Sequence, residues 1–205
     1  MTTPSHVVPN AVDHAFYTPG DGPRAGVFCA ARIEPHKNQL ELIRALEPTR
    51  LELTLAGSVH PHHADYYEAC RRAAGPRVRF VEHTTGEALR ELYRAARVHV
   101  LPSRFETTGL SSLEAALCGC SVVTTERGYA REYLRTHAYY CDPNDRASIR
   151  GAVVAAYDRP RRGLPERILA NYTWAHTARA TVGAYQRVLR TPRLADTPPA
   201  TSSRE

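Results

Sequence analysis

Lysine is nearly absent from this chain. Its 205 residues hold 27 lysines and arginines together, and all but one of them, Lys37, are arginine. Arginine in place of lysine beside many alanines is what a G/C-rich coding bias produces, so the formal charge of +6 points only weakly to anionic partners. The arginines of "CRRAAGPRVR" and "YDRPRRG" are scattered over helix-like stretches without interleaved aromatics. No recognition motif accompanies them, so nucleic acid is not an expected partner.

Other absences narrow the class further. No hydrophobic run approaches the roughly 20 residues that span a bilayer, and "MTTPSHVVPN" lacks the basic-then-apolar pattern of a signal peptide. A cytoplasmic chain is expected, with any membrane association arising through a partner. Five cysteines at irregular spacing make no disulfide framework. The "CGC" at 118–120 lacks the second ligand pair of a structural zinc site and reads as small buried residues around a helix-to-strand turn. His60, His62 and His63 in "HPHH" have no carboxylate or thiol at ligand spacing and read as a surface loop opening the next helix. There is no GxGxxG and no GxxxxGK[ST], which weighs against a dinucleotide-binding Rossmann enzyme and a P-loop NTPase.

What is present is alternation. "GVFCAAR" (26–32), "LELTLAG" (51–57), "RVRFVE" (77–82), "VHVLP" (98–102), "SVVTT" (121–125) and "AYYC" (138–141) read as short strands. Helix-like stretches lie between them near 38–47, 64–74, 86–96, 109–118 and 129–135, and two or three more follow the last strand. The expected fold is α/β: one Rossmann-like domain over residues 1–190, with a parallel sheet of about six strands and helices on both faces. In the last helix, Trp174, Ala178, Val182, Tyr185 and Leu189 share a stripe at helical spacing and are expected to pack against an apolar surface. Residues 191–205, rich in Pro, Ser and Thr, read as a disordered tail.

In open parallel sheets ligands bind beyond the carboxyl ends of the strands. Two loops there carry unusual chemistry. The first, after "GVFCAAR", holds Arg32 and Lys37. The second reads "SRFETTGLSSLEAALCGC", in which Gly109 with Thr107, Thr108, Ser111 and Ser112 exposes backbone amides at a helix start, a favourable place for phosphate. Glu106 just before that helix and Glu114 inside it can each accept paired hydrogen bonds from a sugar diol. Two anions beside a phosphate are costly unless cations offset them. Arg32 and Lys37 supply those, each with up to about 4 kcal/mol of Coulomb energy near 4 Å at an effective dielectric of about 20. Cations at a helix start oppose its dipole, so a merely structural role explains them poorly. Tyr129 and Arg131, after the fifth strand, read as strand-end packing rather than ligand contacts.

With these residues in view, the chain resembles the C-terminal, nucleotide-sugar-binding domain of retaining GT-B glycosyltransferases of family 4 (group 1), and especially the surface-polysaccharide transferases. The likeness runs through "VVPNAVD", "ARIEPHKN", "LTLAGS", "LPSRFETTGLSSLEAALCGCSVV" and "YTWAHTARATVGAYQRVL". It implies that Arg32 and Lys37 bind the donor diphosphate and stabilise the departing nucleoside diphosphate. It implies that Glu106 touches donor-sugar hydroxyls while Glu114 holds the ribose. Backbone around Thr108, Gly109 and Leu110 and the hydroxyl of Ser111 would contact sugar and phosphate, and His83 and Thr84 would border the base. Fixed positive charge would stand in for a divalent cation, so neither metal nor cofactor is implied, only a nucleotide-sugar donor. A complete enzyme of this kind has two Rossmann-like domains, and the acceptor half is missing here. Three explanations stay open: an expressed fragment, a truncated or misassigned reading frame, or a separate subunit joining an acceptor-binding partner. The last predicts an exposed apolar patch on the cleft side or on the last helix.

Overall fold

Buried parallel strands need apolar side chains on both faces, which is why they read as continuous apolar runs. In the computed structural model, which describes residues 5–82, 84 and 86–190, those runs form six strands. They are β1 (Ala25–Ala30), β2 (Leu53–Ala56), β3 (Val78–Val81), β4 (Ala96–Leu101), β5 (Ser121–Thr125) and β6 (Tyr139–Cys141). The sheet order is β3-β2-β1-β4-β5-β6 and every pair is parallel. The order reverses between β1 and β4, which opens a crevice beyond their carboxyl ends.

Alternate residues of each strand face opposite layers. Val27, Cys29, Val98, Val100 and Val123 join one core with α1 (Gln39–Leu46), α2 (Ala64–Ala73) and α6 (Arg146–Asp158). Phe28, Ala30 and Val122 face the other side, against α3 (Gly86–Ala95), α4 (Leu110–Leu117), α5 (Ala130–Leu134) and α7 (Leu164–Asn171). All five cysteines are buried and unpaired. Burial pushes their thiols up to about 11 or 12, so they act as small apolar residues. The "CGC" does lie at the turn from α4 to β5, and "HPHH" is an exposed 3-10 turn opening α2.

The last helix, α8 (Trp174–Arg190), departs from expectation. Its inward face is small and polar: Thr177 donates to the Pro9 carbonyl at 2.8 Å, and Val12 bridges Thr173 just before the helix. The apolar stripe faces away, with Trp174 61%, Val182 54%, Tyr185 67% and Leu189 85% exposed. It therefore joins none of the core clusters among the described residues. The expected tail at 191–205 lies outside the described residues. Among the described residues no helix is long and apolar enough to cross a membrane.

Candidate functional site

The loop after β1 is anchored by its backbone before any side chain acts. Ala31 N–H donates to the Ala56 carbonyl (3.0 Å) and Ile33 N–H to the Ser58 carbonyl (3.0 Å). A Cβ at Gly57 would sit 1.9 Å from the Ala31 carbonyl oxygen, so only glycine permits this approach. Pro35 starts a 3-10 turn ending at Lys37, and Asn38 then takes a left-handed conformation (φ 65°) that asparagine tolerates better than most residues. Asn38 is buried, and its Nδ2 donates to the carbonyls of Pro102 (3.2 Å) and Pro143 (2.8 Å). One side chain thus ties together the loops following β1, β4 and β6.

The loop after β4 is laced to the first. Arg104 N–H donates to the His36 carbonyl (2.9 Å), and the His36 ring bonds the Phe105 carbonyl (2.8 Å). Glu106 is gripped from the loop after β5: its N–H donates to the Arg127 carbonyl (3.0 Å), and Tyr129 N–H donates to its carbonyl (2.9 Å). The side chain lies between two donors, Lys37 Nζ at 2.8 Å and Ser103 Oγ at 3.1 Å, both on Oε2. Lys37 is thus not the solvent-facing side chain that a lone cation at a helix start would be; only 19% of its side chain is exposed.

Gly109, at φ 69°, caps α4 without a side-chain bond, and the amides of Leu110 and Ser111 have no hydrogen-bond partner among the described residues. The buried Ser112 hydroxyl is also unpartnered there. A pocket of about 290 Å³ opens over this helix start, lined by Asn10, Lys37, Glu106 and residues 107–111 among others. An ammonium, unpaired amides, hydroxyls and a buried carboxylate converge on it. Such a set suits a polyanion that also carries hydroxyl groups.

The structure therefore gathers Lys37, Glu106, Thr108, Gly109, Leu110 and Ser111 on one pocket. Three of the expected residues that the structure describes are not in its lining. Arg32 is 70% exposed by side chain and pairs with Glu34 at 3.3 Å. Thr84 lies beyond β3, where its hydroxyl approaches the Glu82 carbonyl (3.4 Å), and His83 is outside the described residues. Glu114 turns from the pocket towards α3, where the buried Tyr93 hydroxyl donates to its Oε2 at 2.9 Å. Burial holds the Glu114 carboxyl above the usual carboxylate range, against the lowering effect of the Tyr93 hydrogen bond and the neighbouring Tyr17 phenol.

Sequence reading missed Asn10, whose Nδ2 donates to Thr108 Oγ1 at 2.7 Å. It sits inside "VVPNAVD", and the only signal was its place in that motif. Tyr129 is exposed rather than packed at a strand end, with its ring edge-on to exposed Phe105 (6.1 Å between centroids). Arg131 stacks over Tyr140 at 4.0 Å and pairs with Glu126 at 3.3 Å, as packing predicts.

Residues 24–159 match the family model described as "Glycosyl transferases group 1". A D-inositol 3-phosphate glycosyltransferase from Stackebrandtia nassauensis is 31% identical, the match covering 87% of this chain and 48% of that protein. Among solved structures, Anabaena HepE in complex with UDP and glucose superposes with a TM-score of 0.77 at 17% identity, over 89% of this chain and 56% of that one. The C-terminal domain of a glycosyl transferase group 1 family protein from Francisella tularensis gives 0.62 at 19% identity, over 85% and 98% respectively. At those identities the structural likeness is one of fold. The chain spans about half the length of the curated relatives it matches.

Proposed function

The chain belongs to the group 1 glycosyl transferases, and from that membership we propose that it is the donor-binding half of a retaining, family 4 hexosyltransferase of surface-polysaccharide type, using a nucleoside-diphosphate sugar. The observation that carries the reading is the Lys37–Glu106 pair (2.8 Å) at the rim of a pocket floored by the open amides of α4. The donor diphosphate rests on those amides. An ammonium has three N–H donors, and only one is engaged by Glu106, so the other two remain for phosphate oxygens. Glu106 keeps Oε1 for a hydroxyl of the donor sugar.

As the bond between the anomeric carbon and the phosphate oxygen breaks, negative charge grows on the leaving diphosphate. Lys37 and the α4 amides are already in place to stabilise it, which is the main catalytic contribution. Arg32 supplies the second cation by exchanging Glu34 for the diphosphate. Fixed protein charge then does what a divalent cation does in other glycosyl transfers. Glu114 receives the ribose, and the Thr84 region borders the base. The complex of HepE with UDP and glucose supports a nucleotide-sugar donor of this kind.

A second reading is favoured by α8. An apolar stripe left exposed among the described residues suits an acceptor-binding half, whether further sequence or a separate subunit. On this reading the chain alone binds donor, as a non-catalytic module or the donor subunit of a split enzyme, and transfers sugar only when the other half is docked.

Calorimetric titration with UDP, GDP and ADP tests the donor site. At least one should bind, and Lys37→Ala should weaken it tenfold or more; equal affinity of the variant and the parent chain sinks the assignment. A transfer assay with the corresponding nucleotide sugar separates the two readings. Product from the chain alone supports the first, and binding without product the second.

A further inference from the structure

We propose that Tyr93 and Tyr17 are positioning residues for nucleotide recognition: the Tyr93 phenol donates to one oxygen of the Glu114 carboxylate, the Tyr17 phenol stands beside it, and together they aim the free acceptor positions at a vicinal diol. This rests on the reading of Glu114 as the ribose ligand given above.

Tyr93, in the last turn of α3, is fully buried, and its hydroxyl donates to Glu114 Oε2 at 2.9 Å. Three rings pack edge-on against it, Phe28 at 5.2 Å, His99 at 5.7 Å and Tyr17 at 6.0 Å between centroids, so its phenol has one place to go. Tyr17 lies beside Glu114 as well, whose carboxylate, together with burial, pushes its phenol up to about 12. Its own position is secured by a strap. Tyr17 N–H donates to the Asp13 carbonyl (2.9 Å), and Asp13 Oδ1 accepts from the amides of Ala15 and Phe16 (both 3.1 Å). Two arginines of α3 then clamp the strap: Arg90 stacks over Phe16 at 4.6 Å, and Arg94 donates to the Thr18 carbonyl (2.8 Å) and hydroxyl (2.6 Å).

A carboxylate offers about four acceptor positions. The Tyr93 phenol has a single proton to give and occupies one of them. Lodged beside α3 and short of solvent, Glu114 has an acid pushed above its usual range by burial, the mark of a carboxylate that needs more donors than it has. Two adjacent hydroxyls supply two more. A diphosphate or a lone hydroxyl does not, so the tyrosines should matter for the sugar of the nucleotide and not for its phosphates.

The test uses the full chain and whichever of UDP, GDP and ADP binds, compared by calorimetry with its 2′,3′-dideoxy counterpart. The ribonucleotide should bind at least tenfold more tightly, and Glu114→Gln should bring that ratio near one. If the parent chain shows no preference, or Glu114→Gln keeps it, the ribose reading of Glu114 fails and this inference fails with it. If none of the three nucleotides binds, the donor site itself is overturned. With the Glu114 result in hand, Tyr17→Phe and Tyr93→Phe should each lower ribonucleotide affinity about three- to tenfold and leave dideoxynucleotide affinity within twofold. Equal losses for both ligands, or no loss, overturn the positioning role while leaving Glu114 intact. Tyr17, half-buried at the edge, carries this test on its own should Tyr93→Phe fail to fold.

Discussion

At the scale of single residues, His99 in β4 is fully buried between Phe28 and Tyr93, and both its ring nitrogens lack hydrogen-bond partners among the described residues. Burial lowers its pKa from an ordinary 6.5 to about 3. The unfolded chain therefore takes up a proton near pH 6.5 that the folded chain refuses until about pH 3. Stability must fall as pH drops through that window, by up to about 1.4 kcal/mol per pH unit. His99→Phe should remove that acid-sensitive limb, because phenylalanine fills the same space without unpaired nitrogens. Urea midpoints from pH 7.5 down to pH 4 check this: the variant's line should be flatter than the parent's, and parallel lines would refute it.

Lys37 carries a second residue-scale prediction. Because Nζ is held against a buried carboxylate, Lys37→Ala should cost about 1–3 kcal/mol of stability in addition to donor affinity. Lys37→Met combined with Glu106→Gln should cost less than the two single changes added together, since neither partner is then left as an unpaired charge. Denaturant titrations of the four proteins give the coupling, and strict additivity would mean that the pair contributes nothing. Both residues stood out in the sequence as chemistry at adjacent strand ends. Their direct contact did not, because it joins positions 69 residues apart through two irregular loops whose lacing no local pattern encodes.

At the scale of elements, the helix following β4 is useful only if the loop before it keeps Glu106 in place. Gly128 is central to that. At φ 104°, it pairs with Glu106 in an isolated parallel bridge, and a Cβ there would stand 2.1 Å from the Glu106 carbonyl oxygen. Gly128→Ala should therefore break the bridge, lower stability by about 2 kcal/mol or more, and weaken nucleotide binding through displacement of Glu106. A normal melting temperature with unaltered binding would show that the loop needs no such bridge. The six strands and their helices were legible in the sequence because buried parallel strands are apolar on both faces and the helices between them are amphipathic, so alternation alone yields the order of elements. Asn38 was quoted within "ARIEPHKN" without a role, since donation to two proline carbonyls from distant loops depends on folded geometry. Glu114 was legible as a carboxylate on the helix, but nothing in its spacing told that Tyr93 of the neighbouring α3 would donate to it or that Tyr17 would stand beside it.

At the scale of the whole molecule, the stripe on α8 was legible as a pattern and misread as a location. Helical periodicity says which residues share a face; it does not say what that face meets. Here the small, polar face of α8 meets the N-terminal segment, and Trp174, Val182, Tyr185 and Leu189 are left outward on a domain that spans about half of its relatives. If those side chains serve an acceptor-binding half and not the domain's own core, exchanging them should leave the domain intact. Val182→Gln, Tyr185→Ser and Leu189→Gln combined should shift stability by no more than about 0.5 kcal/mol per site, the usual range for exposed positions. Nucleotide affinity should stay at the parent value, because none of the three side chains lines the pocket. Binding to an acceptor-binding half, measured by sedimentation, should be lost together with sugar transfer. A sharp fall in melting temperature would instead return the stripe to the domain's own packing, and unchanged association would remove it from the docking face.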